Sequence, residues 1–190
     1  MNKATARKVY VEKRNQLSYE EIQVKSSLIA ETFIASDLWK NCKLIHIFIT
    51  IPSKAEIDTS FLIDFFFKKH PEIKICTSIV VENDLVHTHI TEVTTYLPNG
   101  WNIPEPVERN VLNENEIDLV LLPLLAFDVK GNRVGYGKGF YDRFLQKCKP
   151  DIIKVGLSLF EPTEELIETN VWDVPLDWSV SPNKIYNLSY

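Results

Sequence analysis

Short apolar segments rich in β-branched residues alternate along the chain with amphipathic segments, and this alternation most restricts the possible fold. The apolar runs have the length and composition of β-strands and lie at residues 44–51, 73–81, 119–122 and 152–159. The helical patterns lie within residues 1–35, after residue 58 and over residues 140–148. Strands that alternate with helices favour an α/β fold, with a mainly parallel sheet covered by helices on both faces.

Start signals define two of the helices. Ser18, followed three residues later by Glu21, matches a capping box and predicts a new helix after a first, highly charged one that covers residues 3–16. Asp58 or Thr59 can cap a third helix. The apolar residues expected on its inner face are Phe61, Leu62, Phe65 and Phe66.

The composition excludes several classes of protein. A length of 190 residues suits one domain covering 1–190. There is no run of about 18 apolar residues to span a membrane, and the charged N-terminus lacks the apolar core of a secretory signal. A net charge of −5 disfavours nucleic acid as a partner. We expect a monomer that binds neither nucleic acid nor membranes.

The cysteines give no sign of a metal centre or a disulfide framework. They number three, stand far apart and form no CxxC pair: Cys42, Cys76 and Cys148. A reducing, cytoplasmic location is the simplest setting for such a chain.

An alternating segment at residues 86–93 predicts a strand at the edge of the sheet. His87 and His89 lie two residues apart on one face, a spacing that could hold a metal ion. No cysteine or acidic cluster accompanies them, so the sequence favours side chains that face water. Residues 96–109 contain three prolines and are expected to form one long loop, of the kind that is often functional.

Glycine is concentrated in one stretch, GNRVGYGKGFYDRFL at residues 131–145, which holds four of the six glycines within nine positions. It lies between an apolar strand and a helix, where α/β proteins bind ligands. Gly135, Gly137 and Gly139 would let several backbone N–H groups approach one anion, and Lys138 would add a cation. The spacing is neither GxxxxGK[ST] nor GxGxxG, so a tight turn remains the alternative to a phosphate site.

The residues after the glycines each allow two interpretations. Asp142, in the first turn of the helix, could complement the helix dipole or hold magnesium beside bound phosphates. Arg143 could simply pair with a nearby acid, and Tyr141 is typical of a core position as well as of a catalytic one.

The segment LLPLLAFDVKGNRVGYGKGFYDRFL resembles the signature of the 5-formyltetrahydrofolate cyclo-ligase family. Three further segments are similar to that family. They are Lys3 and Arg7 near the N-terminus, the acidic AEIDT at residues 55–59, and WNIPEP at residues 101–106. The resemblance covers nearly the whole chain. It implies a three-layer αβα domain of the NagB/RpiA/CoA-transferase-like type.

The resemblance also implies a reaction that depends on ATP and Mg²⁺. ATP phosphorylates the formyl oxygen of 5-formyltetrahydrofolate, N10 attacks the activated carbon, and 5,10-methenyltetrahydrofolate, ADP and phosphate are released. Such chemistry requires charge neutralisation and positioning more than a covalent nucleophile. Lys138, the loop of amides and a magnesium carboxylate are residues of the required kinds.

Roles of individual residues follow from matching positions. The implied catalytic residues are Lys138 and Tyr141. The implied ATP contacts are Lys3, Arg7, Arg133, Gly135, Tyr136, Gly137, Lys138, Gly139, Phe140 and Tyr141. The implied folate contacts are Ile51, Glu56, Trp101, Lys138, Gly139 and Tyr141. The implied magnesium ligands are Asp142 and Asp173, with nearby Asp177 as the alternative to Asp173.

Some of these positions also have plainer interpretations or depart from the family pattern. Without the resemblance, Glu56 would be an exposed acid near the start of a helix; with it, the carboxylate could orient the pterin. Trp101 could stack on a flat ring of the folate or anchor its own loop. Phe140 stands where a tyrosine is usual, and Trp172 where a histidine is common.

Two other functions remain open from the residues alone. One is a noncatalytic module that binds a nucleotide or folate, and the other is a sugar-phosphate or acyl-transfer enzyme on a similar scaffold. Lys138 together with Asp142, Lys3 and Arg7 favours the ligase, because a passive phosphate sensor does not need a magnesium carboxylate.

Overall fold

A computed structural model describes residues 1–100 and 102–189. The α-helices are α1 (Lys3–Asn15), α2 (Tyr19–Ile34), α3 (Ser60–Lys69) and α4 (Phe140–Lys147). The strands are β1 (Leu44–His46), β2 (Lys74–Val81), β3 (Asp84–Ile90), β4 (Tyr96–Pro98), β5 (Pro104–Pro106), β6 (Val111–Leu112), β7 (Leu119–Pro123), β8 (Ala126–Phe127), β9 (Arg133–Val134), β10 (Ile153–Leu157), β11 (Trp178–Ser181) and β12 (Lys184–Asn187). No helix among these residues is long and apolar enough to cross a membrane.

Eight strands form the central sheet, in the order β12-β11-β10-β7-β1-β2-β3-β6. The five strands from β11 to β2 are parallel to one another, and the antiparallel strands lie outside them. The predicted mainly parallel sheet is therefore confirmed. β1 is shorter than its apolar run because only residues 44–46 form the ladder, although the Ile47 N–H still donates to the Cys76 carbonyl.

Strand β7 shows how the sequence produces the layers. It is buried on both sides, and its alternate side chains point to opposite faces of the sheet. Leu119 and Leu121 lie in one apolar cluster with residues of α2 and α3, while Val120 and Leu122 lie in a second cluster with residues of α4. The expected three-layer αβα arrangement is confirmed. Helix α1 instead packs at the end of the sheet against β8 and β9.

The predicted start of α2 is also confirmed. The Ser18 side chain accepts from the Glu21 N–H, and the Glu21 carboxylate accepts from the Ser18 N–H. At α3, Asp58 rather than Thr59 supplies the side-chain contact, by accepting from the Ser60 N–H.

The prediction that residues 86–93 form an edge strand facing water is wrong. β6 pairs with β3 through His87 and Thr88, so β3 is not the edge. His87 is only 1% exposed and lies against the Phe144 ring, with centroids 3.9 Å apart. Its Nδ1 shares the Ser78 hydroxyl with His46, and burial lowers its pKa to about 4. The His87 side chain is buried because helix α4 covers this face of the sheet.

Residues 96–109 do not form one long loop, which corrects a second prediction. β4 and β5 pair as a hairpin, with Pro98 opposite Pro104 and Tyr96 opposite Pro106. Prolines are tolerated because each strand of this two-stranded ribbon pairs on one side only, so a missing N–H breaks no second ladder. Trp101 lies outside the described residues.

Candidate active site

The strand order reverses at β1, and this reversal creates the candidate site. From β1 the chain passes through α3 to β2 on one side, whereas β7 and β10 lie on the other side. In open α/β sheets, the segments that leave the carboxyl ends of two such strands diverge and form a crevice for ligands. Here those segments are residues 47–57 after β1 and residues 124–139 after β7.

The first part of the glycine-rich stretch forms a hairpin, β8–β9, that we call the Asp128 hairpin (residues 126–134). The buried Asp128 carboxylate accepts hydrogen bonds from the N–H groups of Lys130 and Asn132 at 2.9 and 3.1 Å, and from the Ile167 N–H at 2.7 Å. Gly131 has a φ of 79°, and a Cβ there would lie 2.6 Å from the Leu176 carbonyl oxygen. This part of the stretch is a tightly packed turn.

The second part, residues 135–139, is here called the glycine loop. Gly137 and Gly139 have φ values of 89° and 69°, where glycine is favoured, but Gly135 does not require glycine on these grounds. Within the described residues, no hydrogen bond is formed by the N–H groups of residues 136–139, and Gly139 has no side chain to cap α4. Unpaired amides at a helix N-terminus beside the exposed Lys138 suit an anion.

Arg7 contacts the glycine loop from α1, and Tyr136 is part of the loop. The Arg7 Nε donates to the Gly135 carbonyl at 3.0 Å, and its guanidinium lies against Gly137. The Tyr136 ring is partly exposed, with the Lys54 ammonium 4.2 Å from its centroid. The structure therefore brings α1 and the glycine loop together, as the shared ATP assignment of Arg7 and Tyr136 requires.

Glu56 is buried, so its interpretation as an exposed acid is wrong. It is 5% exposed, and a one-turn 3-10 helix at Pro52–Lys54 followed by Ala55 in the left-handed region turns it inward. Its carboxylate accepts from the Ile51 N–H at 2.9 Å and interacts with the Tyr136 hydroxyl. Burial raises the pKa of Glu56, and these hydrogen bonds partly offset that rise.

Tyr141 faces the same region from the start of α4. Burial, with Glu56 next, raises the pKa of its phenol far above the usual value. Its ring lies near those of His46 and Phe144, with centroids 5.9 and 6.1 Å away. The phenol is neutral at physiological pH and can donate a hydrogen bond, but it cannot serve there as a ready base.

Arg14 is a buried residue that sequence reasoning missed. It lies in the last turn of α1, is 4% exposed, and donates to the Leu124 carbonyl at 2.6 Å and to the Tyr136 hydroxyl at 3.0 Å. Its neighbours Lys13 and Glu12 are exposed, so the charged pattern of α1 gives no signal that this one arginine points inward.

The acidic residues assigned to magnesium line one small recess together with Arg133. Arg133 Nη2 donates to Asp142 Oδ1 at 2.7 Å, and its Nη1 donates to the Val174 carbonyl. Asp173 Oδ2 pairs with the Lys3 ammonium at 2.5 Å. Asp142 and Asp173 are both among the residues that line the recess.

Asp177 and Arg143 have other partners than the sequence analysis considered for them. Asp177 pairs with Lys154, whose Nζ lies 2.8 Å away, and is not part of the recess lining. Arg143 does not pair with an acid in the described part of the chain. It donates to the carbonyls of Lys138 and Asn83 instead, since the first turn of α4 holds it over the glycine loop.

The recess fits a magnesium ion in its chemistry. Hydrogen bonds from the described residues reach only Oδ1 of Asp142 and only Oδ2 of Asp173, so each carboxylate keeps one oxygen for a cation. No group of three or more potential ligands of the His, Cys, Asp or Glu type occurs in residues 1–100 and 102–189. Mg²⁺ in phosphate sites commonly uses one or two carboxylates and completes its shell with water and phosphate.

Comparison with known proteins identifies the family of this chain. A model of the 5-formyltetrahydrofolate cyclo-ligase family matches residues 1–182. A probable 5-formyltetrahydrofolate cyclo-ligase of Schizosaccharomyces pombe is 31% identical over 182 residues, which cover 86% of this chain and 87% of that protein. The 5-formyltetrahydrofolate cyclo-ligase of Mus musculus is 36% identical over 139 residues, which cover 70% of this chain and 68% of that protein.

A solved structure shares the fold along almost the whole chain. The NMR structure of Aquifex aeolicus 5,10-methenyltetrahydrofolate synthetase superposes with a TM-score of 0.82 at 27% identity, covering 99% of this chain and 93% of that one. This chain therefore belongs to the 5-formyltetrahydrofolate cyclo-ligase family.

Proposed function

We propose that this protein converts 5-formyltetrahydrofolate and ATP into 5,10-methenyltetrahydrofolate, ADP and phosphate. The observation that carries the proposal is the convergence, at the reversal of strand order, of the glycine loop after β7 and the Glu56 turn after β1. Family membership supplies the chemistry that such a two-sided crevice would perform. We further propose that the enzyme acts as a cytoplasmic monomer with one domain over residues 1–190.

The ATP phosphates would bind at the glycine loop. Their negative charge would meet the unpaired amides of residues 136–139, the N-terminus of α4, and Lys138. Arg7 lies against the same loop from α1. Lys3 and Arg133 already pair with Asp173 and Asp142, so they would act at the edge of the phosphate site through those carboxylates. Gly135, Tyr136, Phe140 and Tyr141 complete the proposed ATP contacts.

The folate would bind on the side of Ile51 and Glu56. A carboxylate accepts two adjacent N–H donors, which suits the pyrimidine edge of a pterin, and a buried carboxylate with few competing waters strengthens that contact. Trp101, Lys138, Gly139 and Tyr141 are the other proposed folate contacts. Lys138, Gly139 and Tyr141 thus would face both ligands, as a direct transfer between them requires.

The reaction requires that the protein position the two substrates and neutralise charge on the phosphates. The γ-phosphoryl group moves to the formyl oxygen, N10 attacks the formyl carbon and loses its proton, and the oxygen leaves with phosphate. Lys138 would neutralise charge on the transferring group, and the neutral Tyr141 phenol would donate a hydrogen bond. Exclusion of water from the crevice would protect the activated formyl group from hydrolysis.

Asp142 and Asp173 would hold magnesium, and the ion would neutralise phosphate charge when bound. Asp173 is preferred over Asp177 because it lines the recess with Asp142, whereas Asp177 is paired with Lys154. The lysine and arginine partners would keep both carboxylates oriented when magnesium is absent.

One experiment separates this activity from a binding module. Purified protein is mixed with MgCl₂, ATP and 5-formyltetrahydrofolate, and product is followed by the near-ultraviolet absorption of the conjugated methenyl bridge and by ADP release. We expect equal amounts of methenyl product and ADP, only when all three components are present. Tight binding of ATP without product would contradict the ligase and support the binding module. ATP hydrolysis independent of folate would instead indicate a different transferase.

A further inference from the structure

Arg14 is a buried cation whose hydrogen bonds join separate parts of the candidate site. Its Nη2 binds the Leu124 carbonyl just beyond β7, and its Nη1 binds the Tyr136 hydroxyl in the glycine loop. Its Nε is buried and has no hydrogen-bond partner among the described residues. Burial of a guanidinium with an unpaired N–H group costs folding free energy. A role in the site therefore explains the buried Arg14 better than a contribution to stability alone.

The Tyr136 hydroxyl, which Arg14 binds, also interacts with Glu56. Because the oxygen accepts a hydrogen bond from Arg14, its own hydrogen remains available for the Glu56 carboxylate, with which it interacts. Glu56 in turn accepts from the Ile51 N–H. These contacts connect Arg14 to Tyr136 and Tyr136 to Glu56, and Arg14 and Glu56 line the same small cavity.

The contacts among Arg14, Tyr136 and Glu56 connect the two proposed ligand sides. Tyr136 belongs to the glycine loop, which would bind ATP, whereas Glu56 follows β1 and would bind folate. In the described part of the chain, the N–H groups of residues 136–139 form no hydrogen bond, and the loop backbone is held by Arg7 at the Gly135 carbonyl and by Arg143 at the Lys138 carbonyl. A ligand that orders the loop would fix the Tyr136 hydroxyl and thereby the carboxylate of Glu56.

We propose that Arg14 is a positioning residue which, through the Tyr136 hydroxyl, holds the glycine loop and Glu56 in one arrangement, so that nucleotide and folate each strengthen the binding of the other. This inference rests on the proposed function. The second ligand meets a site that the first has already ordered, and by linkage the effect is equal in both directions.

The test measures ligand coupling rather than affinity alone. Dissociation constants for 5-formyltetrahydrofolate are measured with and without saturating MgCl₂ and a non-hydrolysable ATP analogue. In the wild type we expect the nucleotide to tighten folate binding by about fivefold or more, within the usual range of coupling between sites. In Tyr136→Phe, which removes only the hydroxyl from a partly exposed ring, the ratio should fall to within about twofold of one.

Further variants distinguish positioning from a general structural role. Tyr19→Phe removes an exposed hydroxyl from α2 and should leave the coupling ratio at the wild-type value. Arg14→Lys keeps the charge but loses the two-pronged donor, so we expect the coupling to fall as in Tyr136→Phe. Melting temperatures show whether each variant is folded.

The outcomes are distinct. A wild type without coupling, or a Tyr136→Phe variant with wild-type coupling, overturns the inference. Wild-type coupling in a folded Arg14→Lys variant overturns the role of Arg14. If the wild type forms the methenyl product in these cases, the proposed function stands and only the inference fails. If the wild type forms no product, the proposed function fails and the inference fails with it.

Discussion

The two halves of one glycine-rich segment differ in what surrounds them. In the Asp128 hairpin, a buried carboxylate binds the backbone, and backbone atoms of Leu176 leave no room for a side chain at Gly131. In the glycine loop, the N–H groups of residues 136–139 form no hydrogen bond with any described residue, Lys138 is exposed, and a Cβ at Gly137 would meet only the movable end of Arg7. The same residue type thus closes a packed turn in one half and leaves room for a ligand in the other.

Glycine content alone therefore does not locate a binding site. Gly131 and Gly139 both have positive φ, yet only the second stands where amides are free. Substitutions in the first half should therefore lower stability, and substitutions in the second half should lower activity. The predictions below can break that division.

The largest expected effect is on catalysis, at Lys138. Lys138→Met should lower kcat by about 100- to 1,000-fold, or about 3–4 kcal/mol, as for the loss of another preorganised charge or donor. The melting temperature should stay near the wild-type value because the side chain is exposed and forms no hydrogen bond or ion pair in residues 1–100 and 102–189. Steady-state kinetics and thermal melts check both parts. Near-normal turnover would remove Lys138 from the mechanism.

The next effect is on stability, at Gly131. Gly131→Ala forces a left-handed conformation on alanine and places its Cβ against the Leu176 carbonyl, which should cost about 3 kcal/mol of unfolding free energy. The matched control is Gly135→Ala, where nothing lies within 4 Å of the added Cβ. We expect little loss of stability in that control. Urea titrations compare the two, and equal destabilisation would refute the division into a packed half and an open half.

Asp142 lies in α4, just after the glycine loop, and pairs with Arg133 of the Asp128 hairpin, so its substitution should show both effects at smaller size. Asp142→Asn removes the charge that compensates the Arg133 guanidinium, which is 8% exposed, and should cost about 2 kcal/mol of stability. It should also slow product formation in a way that high MgCl₂ partly restores, because one magnesium carboxylate is lost. Activity measured over a magnesium series in folded protein is the check. A loss that is the same at every magnesium concentration would leave Asp142 with its structural pairing only.

The sequence predicted the regular elements where local pattern decides them. Apolar runs and the capping box correctly indicated α1 to α4, β2, β7 and β10, because burial of one face or both faces imposes a period that can be read locally. It overlooked β11 and β12, which flank the short Pro182–Asn183 turn, and the hairpin of β4 and β5. Those strands are short, and their pairing depends on the neighbours that the fold provides.

From the sequence came the alternation of the main strands and helices, the three-layer class, and the glycine, lysine and aspartate residues of the proposed site, with the family resemblance assigning their roles. Only the tertiary structure decided which polar side chains are buried together. Arg14 and Tyr136 are 122 positions apart, yet they share a hydrogen bond of 3.0 Å. His87 and Glu56, which local pattern placed at the surface, are instead covered by the packing around them. The physical reason is that periodicity reports one face of one element, whereas burial of a charge depends on what other elements place over it.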